Sequence, residues 1–235
     1  MTKTPMSRPS VFAHRGFSSR ALENSLEAFR LAMAVPVDMI EFDVRKSRDN
    51  HLYVLHDRDT GRTCDRNIDI EGSTEEEIGK VRLKNGEPLS RLKDVLDLVA
   101  GRTALDIEIK SDGAGALCAA QLIGSGYRGN VLISSFHENE VIDARRIMPD
   151  AQVSVIFDSF GPSDVNAYAR QGYRIISLKR SSVTAELVAL LHGRGIRVYV
   201  WTVDKEEEIR RFSAWGVDGM FSNDPALLRK VVEEG

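Results

Sequence analysis

This sequence predicts an α/β chain closed into a (β/α)8 barrel of the TIM type. Two patterns carry that expectation. Eight short, apolar, β-branched runs alternate with longer amphipathic segments across 235 residues, as repeated strand-then-helix units do. Polar groups then gather where apolar runs end. His14-Arg15-Gly16 follows Val11-Phe12-Ala13, and Glu41-Phe42-Asp43, His56-Asp57 and Glu108-Ile109-Lys110 close three later runs. Side chains at the active rim of a parallel barrel have this placement.

In chain order, the first strand is predicted over 10–14 and the first helix over 24–34, where Asn24 and Glu27 read as N-cap and capping box. The second strand covers 38–44. No helix fits between it and Leu52-Tyr53-Val54-Leu55-His56, so that run is expected to return as a hairpin partner. A turn centred on Asp49-Asn50 sets position 43 opposite position 56. Residues 57–90, rich in Arg, Asp, Glu and Gly, read as a small insertion over the rim, a partial lid. Strands then follow at 103–109, 130–135, 152–157, 174–178, 196–203 and 217–222. Helices are expected at 91–99, 114–124, 138–147, 162–171, 184–193, 205–214 and 225–233. Gly124 to Gly129 has dinucleotide-loop spacing, but it follows a helix and precedes a strand, so it reads as a helix end and loop. Glu75-Glu76-Glu77 and Glu206-Glu207-Glu208 read as solvated helix starts.

Composition narrows the function classes. With 42% hydrophobic and 29% charged residues, the chain reads as one domain over 1–235. A net charge of −3 gives no nucleic-acid footprint. Cys64 and Cys118 are too few for a disulfide framework and lack zinc-site spacing. Met1 to Ser10 is polar, with Pro5 and Pro9, and shows no secretory signal. No run approaches the ~20 apolar residues of a membrane span. The expected location is the cytoplasm, and a homo-oligomer is compatible with the chain.

Strand alternation sorts the polar groups. Met39, Glu41 and Asp43 share one face, as do Asp106, Glu108 and Lys110, and these faces point into the barrel. Buried acids need a partner or a metal. Internal ion pairs with Arg and Lys suffice for any one of them; Glu41, Asp43 and Glu108 together favour a hard cation, Mg²⁺ or Ca²⁺. His14 and His56 beside such ligands suit general acid and base roles. Arg15 suits an anion clamp, and Lys110 suits either neutralising Glu108 or stabilising a phosphoryl oxygen. His51, His137 and His192 read as surface residues, His137 having the best claim to a pocket.

The ordered set of motifs is specific. Ala13-His14-Arg15-Gly16, Leu22-Glu23-Asn24-Ser25, Ile40 to Val44, Val54 to Asp57, Ile107 to Lys110, Trp201 to Asp204 and Gly216 to Pro225 resemble the glycerophosphodiester phosphodiesterase family over about 11 to 225. The resemblance implies a barrel hydrolase that cleaves small-molecule glycerophosphodiesters to glycerol 3-phosphate and an alcohol. It implies Glu41, Asp43 and Glu108 as ligands of one divalent cation, and His14 and His56 as the acid/base pair. It further implies Arg15 and Lys110 at the phosphate, Glu23 at the metal site or its loop, and a cyclic phosphate intermediate. Phe136 and Trp201 are candidates to contact glycerol or the leaving group, though barrel packing explains them nearly as well. Asp106 departs from the uncharged residue expected there.

Three other readings stay in view. Lysophospholipase D-type cleavage requires an apolar groove, for which Phe17, Leu22 and Phe136 are candidates. A silent phosphate-binding barrel would lack a histidine or an acid. A metal-dependent aldolase would not explain paired histidines beside Arg15.

Overall fold

The structure, a computed structural model, describes residues 8–234. Residues 1–7, most of the stretch bearing on a secretory signal, lie outside them. Strands form where β-branched runs occur: β1 (Ser10–His14), β2 (Met39–Lys46), β3 (Leu52–Val54), β4 (Ala104–Ile109) and β5 (Val131–Ser135). The second half adds β6 (Gln152–Phe157), β7 (Ile175–Lys179), β8 (Arg197–Trp201) and β9 (Gly219–Ser222). The helices are α1 (Leu26–Met33), α2 (Glu75–Ile78), α3 (Leu92–Val99), α4 (Ala114–Ser125) and α5 (Glu138–Ile147). They continue with α6 (Val165–Arg170), α7 (Ala185–His192), α8 (Glu206–Trp215) and α9 (Pro225–Glu234). No described helix is long and apolar enough to cross a membrane.

Eight strands run parallel in the order β1-β2-β4-β5-β6-β7-β8-β9, and β9 pairs back on β1 to close the barrel. β2 outruns its neighbour. Its lower half, Met39 to Glu41, pairs with β1, and its upper half, Val44 to Lys46, takes β3 antiparallel. That overhang starts the insertion at the rim rather than in the barrel wall.

Alternation divides the core. Ile40, Phe42 and Val44 face outward with Leu105, Ile107 and Ile109 into the layer between sheet and helices, where Phe42 meets Phe29 of α1 at 5.6 Å between ring centroids. The inward face builds a separate aromatic floor from Phe12, Tyr199 and Phe221. Gly219 makes room for it, since a Cβ there would lie 2.4 Å from the Phe12 ring. Residues 57–90 pack their own small core, in which Cys64, Ile70, Ile78, Val81, Leu83 and Leu89 cover Tyr53 and Leu55. The cap on the hairpin side of the rim is therefore a packed unit.

Beyond shifts of one to three residues at other element ends, three details differ from the sequence expectation. The hairpin pairs Val44 with Val54 and Lys46 with Leu52, so Asp43 faces Leu55 rather than His56. Asn50 takes φ +64, which lengthens the turn by one residue and shifts the register. The N-cap of α1 is Ser25, whose side chain accepts from the Ala28 amide at 3.0 Å, not Asn24. Finally, β8 ends at Trp201 rather than at 203.

Candidate active site

The β2–β4 register sets the acids. Glu41 lies beside Asp106, and Asp43 beside Glu108, on the face that points into the barrel mouth. Glu41, Asp43 and Glu108 are all buried, and one carboxylate oxygen from each lies within 4.8 Å of the others. Glu41 Oε1 and Asp43 Oδ1 have no hydrogen-bond partner. Burial and the neighbouring Asp43 and Glu108 push the Glu41 carboxyl well above its ordinary value. Burial likewise pushes Glu108 up to about 7, despite Lys110. A buried Glu41 oxygen with no partner and three clustered carboxylates in an all-oxygen donor set fit a hard divalent cation.

The cations stand around this cluster. Burial alone would raise Asp43, but Lys110 and Arg15 outweigh it and hold its carboxyl well below the usual range. Lys110 Nζ pairs with Glu108 and lies 3.2 Å from Asp43 Oδ1. Arg15 Nε lies 3.3 Å from Asp43 Oδ2, its Nη1 donates to Glu23 at 2.8 Å, and its backbone N–H donates to Glu41 at 2.7 Å. That backbone contact depends on the turn after β1, where Arg15 has φ +56 and Gly16 φ +79. A Cβ on Gly16 would lie 2.8 Å from the Ala28 backbone, so the turn requires glycine. Glu23 is not among the clustered acids; it joins Arg15 to Arg62, which also holds Asp57 at 2.6 Å.

Each histidine is held by one ring nitrogen. His14 Nδ1 donates to Asn223 Oδ1 at 2.8 Å, and Asn223 is fixed by giving its own amides to Asp204 at 2.7 and 2.8 Å. His14 Nε2 then faces Glu41 Oε2 at 4.0 Å. Burial, reinforced by Arg15, pushes His14 down to about 4. His56 Nδ1 donates to Asp57 at 2.7 Å, and burial outweighs its neighbouring acids to lower it too. Burial thus disfavours the charged form of both imidazoles in the free protein, and each has Nε2 left for another group.

A cavity of about 240 Å³ joins these parts, lined by His14, Arg15, Glu41, His56, Glu108 and Lys110. Phe136, Asp158, Lys179 and Trp201 also line it. Phe136 and Trp201 meet edge-on at 5.6 Å between centroids. Asp106 forms part of the lining, and its carboxyl accepts from Ser134 Oγ at 2.6 Å. Burial pushes it up to about 8, so this departure from an uncharged residue favours its own neutral form. His137 is exposed and does not line the cavity, because the helix it caps carries it past the rim. Phe17 is packed in the core and Leu22 against the insertion, so of the three groove candidates only Phe136 reaches the cavity.

The supporting residues were not assigned from sequence: Asn24 behind Asp43, Asp57 and Arg62 behind His56 and Glu23, and Asn223 with Asp204 behind His14. Asn24, Asp57, Asp204 and Asn223 do lie inside the motifs that carry the family resemblance, which is their signal in the sequence; Arg62 has none.

Comparison with known proteins agrees over nearly the whole chain. The sequence model of the glycerophosphoryl diester phosphodiesterase family matches residues 14–227. A glycerophosphodiester phosphodiesterase of Bacillus altitudinis is 30% identical, over 95% of this chain and 98% of its own. One of Caldanaerobacter subterraneus subsp. tengcongensis is 29% identical, over 96% and 98%. The crystal structure of a glycerophosphodiester phosphodiesterase from Agrobacterium tumefaciens superposes with a TM-score of 0.83 at 25% identity, over 94% of this chain and 99% of that one. An Oleispira antarctica phosphodiesterase, solved with the product sn-glycerol-3-phosphate, shares the fold with a TM-score of 0.89 at 20% identity, over 96% and 97%.

Proposed function

The chain belongs to the glycerophosphoryl diester phosphodiesterase family and is an enzyme of that activity; we propose that it cleaves small glycerophosphodiesters with one divalent cation and two histidines, through a cyclic phosphate. The observation that carries this reading is that Glu41 and Glu108, with Asp43 clustered against them, meet His14 and His56 at one cavity. The acids would hold Mg²⁺ or Ca²⁺, which when bound supplies Lewis-acid polarisation of a phosphoryl oxygen and acidifies a hydroxyl.

Arg15 and Lys110 bind the phosphoryl oxygens, which brings the phosphorus between the two imidazoles. His56 Nε2 takes the proton of the glycerol hydroxyl next to the phosphate. Asp57 stabilises the imidazolium so formed. The hydroxyl oxygen attacks phosphorus, the bond to the head-group oxygen breaks, and His14 Nε2 protonates the departing alkoxide. His14 would enter this step as the imidazolium, a state that burial and Arg15 disfavour in the free protein and that the diester's negative charge favours. Water then opens the ring: His14 takes its proton, and His56 returns one to the glycerol oxygen. The internal hydroxyl needs little further positioning, which suits a site with no dedicated nucleophile.

The scarcity of apolar groove residues favours small diesters over lysolipids. Two buried free thiols, Cys64 and Cys118, suit a reducing compartment, and cytoplasmic location is part of the proposal. A diester whose glycerol hydroxyl next to the phosphate is replaced by hydrogen tests the route. It should bind and remain uncleaved; cleavage at the normal rate would rule out the cyclic phosphate.

A further inference from the structure

The two halves of the cavity differ in charge. β2 and β4 carry the clustered acids, and β7 and β8 stand four places around the eight-strand ring from them, directly across the mouth. From that far side Lys179 and Trp201, at the ends of β7 and β8, face the cavity with Asp158, which follows β6. Lys179 Nζ pairs with Asp158 Oδ1 at 2.7 Å and lies 5.7 Å from the centre of the Trp201 ring. Ser182 Oγ anchors Asp158 by donating to its carbonyl at 2.7 Å. Phe136 stands edge-on to Trp201 and carries the Lys110 ammonium 5.4 Å from its own ring centre.

We propose that Lys179 and Asp158, with Trp201 and Phe136, form the head-group subsite, and that it selects uncharged polyol head groups over quaternary ammonium ones. This rests on the diesterase reading above. With the phosphate at Arg15 and Lys110 and the glycerol toward the acids, the alcohol leaves across the mouth.

A trimethylammonium group is recognised by an open aromatic face beside an unpaired carboxylate. Both features are taken here. Lysine ammonium groups already stand over the Trp201 and Phe136 rings, and Asp158 already has its cation. A second fixed cation would meet Lys179 at close range. A polyol meets neither problem. Its C–H faces pack on the rings, while its hydroxyls accept from Lys179 Nζ and donate to Asp158, the two partners differing in the direction of the bond.

The test compares glycerophosphoglycerol with glycerophosphocholine, by calorimetric binding and by turnover, in the cation-loaded wild type, Lys179→Met and Lys179→Arg. The wild type should favour the polyol by about tenfold, Lys179→Met should erase most of that preference by improving choline binding, and Lys179→Arg should keep it. Equal use of both diesters by the wild type, or a preference unchanged in Lys179→Met, overturns the subsite. Discrimination in binding without turnover of either diester upholds the subsite and sinks the hydrolase reading. Failure to bind either one overturns the subsite as well.

Discussion

Asn24 holds Asp43 at both ends, donating its side-chain amide to Asp43 Oδ2 at 2.8 Å and accepting the Asp43 backbone N–H at 3.3 Å. The contact spans 19 residues of sequence. It requires Asn24 in the left-handed region, φ +59, which asparagine tolerates better than most residues. Asp43 Oδ1 is thereby directed beside Lys110, into the cluster of acids.

Asn24→Gly keeps that backbone conformation available and removes the amide. The cation concentration for half-maximal activity should rise about 10- to 100-fold, with activity recovered at excess cation. An unchanged requirement in a cation titration would show that Asp43 needs no such support.

Arg62 ties the insertion to the site through two bonds to Glu23, both at 2.7 Å, and one to Asp57 at 2.6 Å. Arg62→Ala should leave Asp57 to His56 alone and so strengthen the imidazolium. The acid limb of the kcat/KM profile should move to higher pH, and kcat should fall about tenfold from lost positioning. A kcat loss with an unmoved pH profile would mark Arg62 as a merely structural tie.

Glu108 makes stability depend on pH. Burial lifts it to about 7, so the folded chain holds a proton that the unfolded chain has already lost. Stability from this group is full below its ordinary value and declines as pH rises toward 7, by about 3 kcal/mol for a shift of this size. His14, lowered to about 4, acts oppositely: its penalty grows as pH falls below 6.5. Glu108→Gln should therefore raise the melting temperature of cation-free protein at pH 8. Added Mg²⁺ or Ca²⁺ should stabilise the wild type and have a much smaller effect on this variant. Equal cation responses in the two proteins, followed by thermal unfolding, would remove Glu108 from the cation site.

The barrel was legible because strand alternation is a strict period of two. The same rule that put Ile40, Phe42 and Val44 outward put Glu41 and Asp43 into the mouth. Residues whose work is done across long sequence distances were not legible. Asn24 had a satisfactory local reading as a helix cap, and nothing local distinguishes that from a bond to Asp43. Asn223 reaches His14 over 209 residues, and only barrel closure through β1 and β9 brings them together. The hairpin register missed by one residue because the left-handed Asn50 adds a residue to the turn, and the sequence Asp-Asn accommodates either length. Lys179 and Asp158 come from separate strand ends with no shared motif.

The most direct measurement is glycerol 3-phosphate release from glycerophosphodiesters by the purified protein, before and after EDTA, with Mg²⁺ and Ca²⁺ restored separately. Activity abolished by EDTA and recovered with one of the ions, in wild type but not in Glu41→Gln, is the expected result. Undiminished release in EDTA would contradict a catalytic cation at Glu41, Asp43 and Glu108.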